Sequence, residues 1–138
     1  MLSAALKEIK DVLNAKNIET EKGVFINGKY FAYDIFLETE QGERIGFEIL
    51  ARPTKGKMKQ KLVYVTDDLD KFIFILPSNF LQFYTKQPKY ALSNLRPHFF
   101  GKCFDLKNLH AWLYGIAEDK IIKTNRFSDI FNVENCKK

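Results

Sequence analysis

The chain has 138 residues, a length typical of one domain whose core needs neither disulfide bonds nor a structural metal. Hydrophobic residues make up 46% of it, and 13 Phe, 6 Tyr and 1 Trp give an aromatic content that excludes a disordered chain. The formal net charge is +5, from 22 Lys and Arg against 17 Asp and Glu, which favours a polyanionic partner such as nucleic acid. We expect a single domain over residues 1–138.

The cysteines and the apolar runs exclude two further classes of protein. Cys103 and Cys136 are far apart and form no CxxC pair or Cys/His cluster, which excludes a metal held by thiolates. The chain has no charged-then-apolar leader, and its longest apolar run, FIFILP, is far shorter than the roughly 20 residues of a membrane span. We therefore expect no membrane association and a location in the cytoplasm, or in the host cytoplasm if the protein is viral.

The first half of the chain predicts a helix followed by strands. Residues 2–16 have apolar side chains at steps of three and four, as in an amphipathic helix: Leu2, Leu6, Ile9 and Leu13. Beyond Glu21 the pattern changes to short strands, GVFI, KYFAYDIFLET and ERIGFEILA. The turn signals between them are Asn-Gly at 27–28 and the loop EQG at 40–42.

The loop at 40–42 predicts the register of the second hairpin. A three-residue loop with Gly42 in the left-handed conformation of a bulged turn pairs Thr39 with Glu43. Counting back from that pair, Asp34 lies opposite Glu48, and the two side chains point to the same face. A loop of four residues would shift the partners by one.

The second half of the chain predicts alternating helices and strands. Pro53 ends the third strand, residues 55–65 are a predicted helix, and residues 72–76 are a strand that is apolar on both faces and therefore central and parallel to a neighbour. A helix over 78–86 and a short strand near 98–106 follow. We expect a last helix to begin near residue 106 and a surface tail to begin at about 127. The apolar side chains of that helix are Leu109, Trp112, Leu113 and Ile116.

Asp34 and Glu48 are the first candidates for chemistry, because each interrupts an apolar strand. Burying a lone carboxylate costs free energy unless it is paired or bound to a cation. Two acids that meet across a hairpin repel each other, and a divalent ion such as Mg²⁺ removes that repulsion by coordinating both. Two other readings stay open at this point: a partly solvated face, or pairing of the acids with Lys29 or Arg52.

This arrangement resembles the PD-(D/E)XK nuclease superfamily, which has the restriction-endonuclease-like fold. The similarity covers residues 2–76, in the order helix, hairpin with an Asp, strand with a Glu, helix and buried strand. It implies an α/β fold with a central mixed β-sheet flanked by helices in the order α-β-β-β-α-β. It also implies that Asp34 and Glu48 ligate Mg²⁺ (or Mn²⁺), and that a lysine two residues after the Glu activates the attacking water.

The chain departs from the family at that lysine and agrees with one branch at another motif. Leu50 stands where the family has its lysine. Gln60 and Tyr64, spaced i, i+4 on the predicted helix, are similar to the QxxxY element that lines the cleft in the RecB-like branch. A lysine from that helix, Lys59 or Lys61, is a candidate to contact the backbone of the nucleic acid or to replace the missing amine.

The nucleic-acid interface is expected at residues 52–61, which hold five positive charges and no acid. We expect a metal-dependent nuclease that hydrolyses phosphodiester bonds in DNA or RNA, with DNA favoured. The alternative is a non-catalytic nucleic-acid-binding or assembly module on a degenerate nuclease fold. The aromatic-rich stretch at 80–100 is a candidate for base stacking, core packing or the contact of a homodimer. The five charges are those of Arg52, Lys55, Lys57, Lys59 and Lys61.

Overall fold

A computed structural model describes residues 1–13, 15–26, 28–53, 57, 61, 69–79 and 108–127. Within these ranges there are one helix and six strands. They are α1 (Leu2–Val12), β1 (Ala15–Ile26), β2 (Lys29–Thr39), β3 (Arg44–Ile49), β4 (Lys71–Pro77), β5 (Leu109–Gly115) and β6 (Lys120–Arg126).

The six strands form one mixed sheet in the order β1-β2-β3-β4-β5-β6. β4 runs parallel to β3 and to β5, and the other three neighbouring pairs are antiparallel. The predicted elements at 55–65, 78–86 and 98–106 fall in the connections on either side of β4 and lie outside the described residues, apart from Lys57, Lys61, Ser78 and Asn79. The chain is a mixed α/β fold, and no helix in the described ranges is long and apolar enough to cross a membrane.

The loop between β2 and β3 is the predicted bulged turn. Gly42 has a φ of 84°, the left-handed conformation that glycine adopts at little cost. The N–H of Thr39 donates to the carbonyl oxygen of Glu43 at 2.9 Å, and the N–H of Glu43 donates to Oγ1 of Thr39 at 3.0 Å. These bonds close the hairpin at the predicted pair.

The register that follows from this turn is also the predicted one. Ile35 lies opposite Phe47, and the pairing continues without a shift toward the turn. The same count places Asp34 beside Glu48 on neighbouring antiparallel strands. Because side chains alternate between the faces of a strand, a slip of one residue would have separated the two acids.

The core lies between α1 and one face of the sheet. Ala5 and Ile9 of α1 are completely buried and pack against apolar residues from five strands. Burial of a side chain the size of isoleucine stabilises the fold by about 1.5–3 kcal/mol. The cluster comprises Ala5, Ile9, Ile35, Leu37, Ile45, Phe47, Ile73, Ile75, Trp112 and Ile121.

The prediction of a central strand at 72–76 is confirmed. β4 has strands on both sides, and all of its residues after Lys71 are buried. Ile73 belongs to the cluster under α1, whereas the rings of Phe72 and Phe74 pack edge to face at 5.1 Å. The strand therefore contributes apolar side chains to both faces of the sheet.

The prediction that the first helix extends to residue 16 is wrong. α1 ends at Val12, Leu13 has extended backbone dihedral angles, and β1 begins at Ala15 instead of after Glu21. β1 pairs with β2 along almost its whole length, so interstrand hydrogen bonds decide its conformation. Its N-terminal half is an exposed edge with few apolar residues, and it therefore lacks the alternation that marks a strand in the sequence.

The helix predicted to begin near residue 106 is also wrong, because its apolar residues form β5. β5 runs parallel to β4 and antiparallel to β6, and most of its side chains are buried. A strand that is buried on both faces has a continuous apolar run, which periodicity alone does not separate from a buried helix. Leu109 and Trp112, which a helix would place on one face, therefore lie on opposite faces of the sheet.

The sequence predicts a surface tail from about residue 127. Phe127, at its expected start, is completely buried, and its ring lies 6.2 Å from that of Phe74. The strand before it, β6, was absent from the predicted elements. Residues 128–138 lie outside the described part of the chain.

Candidate active site

Asp34 on β2 and Glu48 on β3 form the centre of the candidate site. Their carboxyl groups are close enough to interact electrostatically and to share a hydrogen bond when one of them is protonated. Two neighbouring carboxylates each disfavour the ionised form of the other. The pair therefore requires a cation, a proton or both.

Glu48 is the more buried of the two acids, with a side chain that is only 1% exposed. β3 lies between β2 and β4 in the sheet. On β4, the residue opposite Glu48 is Phe74, which is completely buried. Burial, and then the Asp34 carboxylate, raise the pKa of Glu48 to about 8, although the ammonium group of Lys61 acts in the opposite direction. Without a cation, Glu48 thus holds its proton at neutral pH.

Asp34 is half-buried and is held in place by the backbone of the next strand. Its Oδ2 accepts a hydrogen bond of 2.7 Å from the N–H of Ile49, the residue that follows Glu48. A hydrogen bond from a peptide N–H to a carboxylate is charge-assisted and directional. It fixes the Asp34 carboxylate beside Glu48.

Lys61 provides the positive charge nearest to the acids in the described part of the chain. Its Nζ lies 3.3 Å from Oε2 of Glu48, and its side chain is 30% exposed. The other carboxylate oxygen of Glu48, Oε1, is buried and accepts no hydrogen bond from any described residue. The pairing of the acids with Lys29 or Arg52, considered from the sequence, is thus not the one found for Glu48.

Leu50, at the position of the family lysine, belongs to the protein interior. Its side chain is 6% exposed, and its N–H donates to the carbonyl oxygen of Ile75 at 3.0 Å. An amine on this side chain would be buried. In the described part of the chain, the amine that lies beside Glu48 is that of Lys61.

Three of the five positively charged residues in the stretch 52–61 belong to the described part of the chain: Arg52, Lys57 and Lys61. Arg52 and Lys57 are exposed, and Nζ of Lys57 donates to the carbonyl oxygen of Arg52 at 3.3 Å. Lys61, the third of these residues, lies beside Glu48. The remaining predicted site residues, Lys55, Lys59, Gln60 and Tyr64, lie outside the described residues.

The donor set fits a hard divalent cation. Mg²⁺ and Mn²⁺ prefer oxygen ligands, and Asp34 with Glu48 offers carboxylate oxygens of which Oε1 has no donor among the described residues. The described residues contain no group of three or more His, Cys, Asp or Glu side chains that would surround a metal.

Comparison of the chain with protein-family models, with curated proteins and with solved structures finds no match. The geometry of the site is therefore the basis for a functional assignment.

Two features of the site could not be identified from the sequence. The N–H of Ile49 is a backbone group, and no residue type signals that it will bind Asp34. The pairing of Lys61 with Glu48 joins residues from separate elements. Lys61 was nevertheless among the candidates, because it belongs to a cluster of lysines after the strand that carries Glu48.

Proposed function

We propose that this chain is a metal-dependent nuclease with a restriction-endonuclease-like fold, which hydrolyses phosphodiester bonds in nucleic acid. The observation that carries the proposal is the group formed by Asp34, Glu48 and Lys61. Two carboxyls lie side by side, one of them is buried with an unpartnered oxygen, and an amine is 3.3 Å from it.

Asp34 and Glu48 would hold the metal ion, Mg²⁺ or Mn²⁺. Such an ion supplies a Lewis acid for a phosphoryl oxygen and lowers the pKa of bound water. The hydrogen bond from the N–H of Ile49 orients Asp34 for this role before any cation arrives. Glu48 must lose its proton to act as a ligand, so metal binding releases a proton at neutral pH.

Lys61 has two roles in this proposal. Its ammonium group lowers the pKa of Glu48 and so makes the carboxylate easier to ionise. It also supplies hydrogen-bond donors beside the site, where they would orient a phosphate or the attacking water and stabilise the negative charge that develops in the transition state. It thereby takes the place of the lysine that Leu50 has replaced.

Nucleic acid, and DNA in particular, is the substrate class that we propose. The net charge of +5 attracts a polyanion, and the exposed Arg52 and Lys57 belong to the same basic stretch as Lys61. Affinity should fall steeply with salt, because each phosphate contact releases counterions. Replacement of Lys57, Lys59 and Lys61 by alanine should weaken binding and flatten the salt dependence. We place this activity in the cytoplasm, or in the host cytoplasm for a viral protein.

The deciding experiment is a cleavage assay on single- and double-stranded DNA and RNA with Mg²⁺ or Mn²⁺. Asp34→Ala and Glu48→Gln should abolish cleavage, and Lys61→Met should slow it by about 10²- to 10³-fold. Glu40→Gln, which removes an exposed carboxyl from the turn before β3, is the matched control and should cleave at the wild-type rate. Wild-type protein that cleaves no substrate, with nucleic-acid binding unaffected by Asp34→Ala, would leave the non-catalytic binding module as the better assignment.

Metal binding has its own test, which does not depend on turnover. An ion that binds only the folded chain raises its free energy of unfolding by about 2.7 kcal/mol at one hundred times the dissociation constant. We expect Mg²⁺ to raise the melting temperature of wild type and of Glu40→Gln, and to leave that of Glu48→Gln unchanged. A rise of equal size in all three proteins would place the ion elsewhere.

A further inference from the structure

The hairpin of β1 and β2 extends beyond the rest of the sheet. β1 and β2 pair as far as Ile26 opposite Lys29, whereas β3 pairs with β2 only between Ile35 and Glu38. Residues 23–32 therefore form a two-stranded arm that has no other strand beside it in the described part of the chain. This arm starts two residues before Asp34.

The tip of the arm presents two aromatic rings to solvent. Phe25 is 77% exposed and Tyr30 is 63% exposed, the two highest values among the large hydrophobic residues described. They are direct cross-strand partners, and their rings meet edge to face with centroids 5.5 Å apart. Two exposed rings in contact form an apolar patch, and exposed apolar patches are a feature of interaction sites.

Gly23 fixes the orientation of one ring. A Cβ atom built on Gly23 would come within 2.6 Å of Cζ of Tyr30, so the ring lies directly over the glycine backbone. The ring thus packs against the arm on one side, while most of its surface is exposed to solvent. A flat ring held in this way is suited to stacking rather than to insertion into a pocket.

The charge of the arm indicates which partner it fits. Residues 23–32 include one lysine, Lys29, and no acid, and Lys22 just before them is paired with Glu19 at 3.2 Å. A symmetric contact between the arms of two copies would bring like charges together, which disfavours self-association through this surface. Positive charge next to exposed aromatic rings is instead the combination that binds a single nucleic-acid strand, because a lysine attracts phosphates while the rings stack on bases.

The position of the rings connects them to the candidate active site. Tyr30 and Asp34 are four residues apart on one strand, which corresponds to about 13 Å. A nucleic-acid strand covers that length with about four stacked nucleotides. In an intact duplex the base faces are occupied by neighbouring bases, so the rings are able to stack only on bases that are unpaired.

We propose that Phe25 and Tyr30 form a stacking pair for unpaired bases, which gives the site of Asp34 and Glu48 a preference for single-stranded or frayed nucleic acid over intact duplex. This inference rests on the proposed nuclease function, since it names the substrate class of that site. The stacking pair holds a strand a few nucleotides from the reacting phosphate.

The test is equilibrium binding of a labelled oligonucleotide, as a single strand and as a duplex of the same sequence, in EDTA so that no cleavage occurs. Stacking on an aromatic side chain strengthens binding by about 5- to 150-fold per base. The double variant Phe25→Ala/Tyr30→Ala should therefore bind the single strand at least about fivefold more weakly and bind the duplex as wild type does. The control Ile116→Ala/Ile122→Ala removes exposed apolar side chains from the other end of the sheet and should change neither affinity.

A second variant keeps the test decisive if the alanine variant folds poorly. Phe25→Trp/Tyr30→Trp retains two rings, so it should keep single-strand affinity, and its fluorescence should be quenched when the single strand binds but not when the duplex does. Wild-type affinity of the alanine variant for the single strand would overturn the inference. So would an equal loss for both substrates, or a dimeric wild type that the alanine variant converts to a monomer with unchanged single-strand affinity.

Failure of the nuclease proposal is separable from failure of the stacking pair. A wild type that cleaves nothing, yet binds single strands through Phe25 and Tyr30, refutes the nuclease and supports the stacking pair. Cleavage that depends on Glu48, with single-strand affinity indifferent to Phe25→Ala/Tyr30→Ala, supports the nuclease and overturns the stacking pair.

Discussion

Replacing Glu48 by glutamine should stabilise the metal-free protein, and the gain should depend on pH. Glutamine has nearly the same shape as glutamate and carries no titratable group. The pKa of Glu48 is about 8 in the folded chain against an ordinary value of 4.5. Between these values the unfolded chain has lost the proton and the folded chain still holds it, so the free energy of unfolding of wild type falls as pH rises. Below the ordinary value both states are protonated and this loss is absent.

The structure sets the size of the effect. Each pH unit between the two pKa values corresponds to about 1.4 kcal/mol. The interval from 4.5 to about 8 therefore gives an upper limit of about 5 kcal/mol for the stability that wild type loses and Glu48→Gln keeps. The loss is large because Glu48 is 1% exposed and Asp34 is beside it, and because the contact of 3.3 Å with Lys61 compensates only in part.

The assay is denaturant unfolding of metal-free wild type and Glu48→Gln in EDTA, at intervals from about pH 5 to about pH 9. We expect the two proteins to differ little at the acid end and Glu48→Gln to be the more stable by several kcal/mol at the alkaline end. Glu40→Gln is the control, because it removes the same group from an exposed position. A difference that stays constant across the range, or a Glu48→Gln protein that becomes the less stable one at alkaline pH, would refute the reasoning. Either result would mean that Glu48 is ionised throughout and is stabilised by its ion pair.

Three further substitutions test the surroundings of the site. Lys61→Met removes the group that lowers the pKa of Glu48, so the fall in metal-free stability should continue to higher pH in the same unfolding series. Gly46→Ala should cost about 1–3 kcal/mol in denaturant unfolding, because its new methyl group would lie 3.0 Å from ring carbons of the buried Tyr33; unchanged stability would mean that the ring has room to move. Leu50→Lys should destabilise the fold by several kcal/mol, because it buries an amine. It should not raise the cleavage rate, because Lys61 already provides an amine beside Glu48. A faster enzyme would contradict the role given to Lys61.

The sequence alone determined the β2-β3 hairpin and the central strand. A three-residue loop with glycine in the left-handed position allows one register, and that register brings Asp34 beside Glu48. The short apolar run at 72–76 likewise predicted a strand covered on both faces, and β4 is that strand. These features depend on residues that are near one another in the chain, where turn chemistry and side-chain alternation decide the structure.

Long-range pairing decided the elements that the sequence misassigned. Leu109, Trp112 and Leu113 satisfy helical spacing, and only hydrogen bonding to strands on both sides makes their segment β5. β1 similarly begins at Ala15 because β2 lies beside it. The local pattern is compatible with both conformations in each case, and the partner strand makes the choice.

Some features of the candidate site were predictable from the sequence, and others depend on the tertiary structure. The carboxyl groups of Asp34 and Glu48 were predictable because one hairpin connects them. The amine of Lys61 at 3.3 Å from Glu48, and the N–H of Ile49 at 2.7 Å from Asp34, are consequences of how separate segments pack. Burial of Glu48 against β4 is a further consequence, and it raises the pKa of that residue to about 8. Desolvation and the contacts between distant segments are properties of the folded chain, so the sequence identifies the acids whereas the tertiary structure decides their protonation.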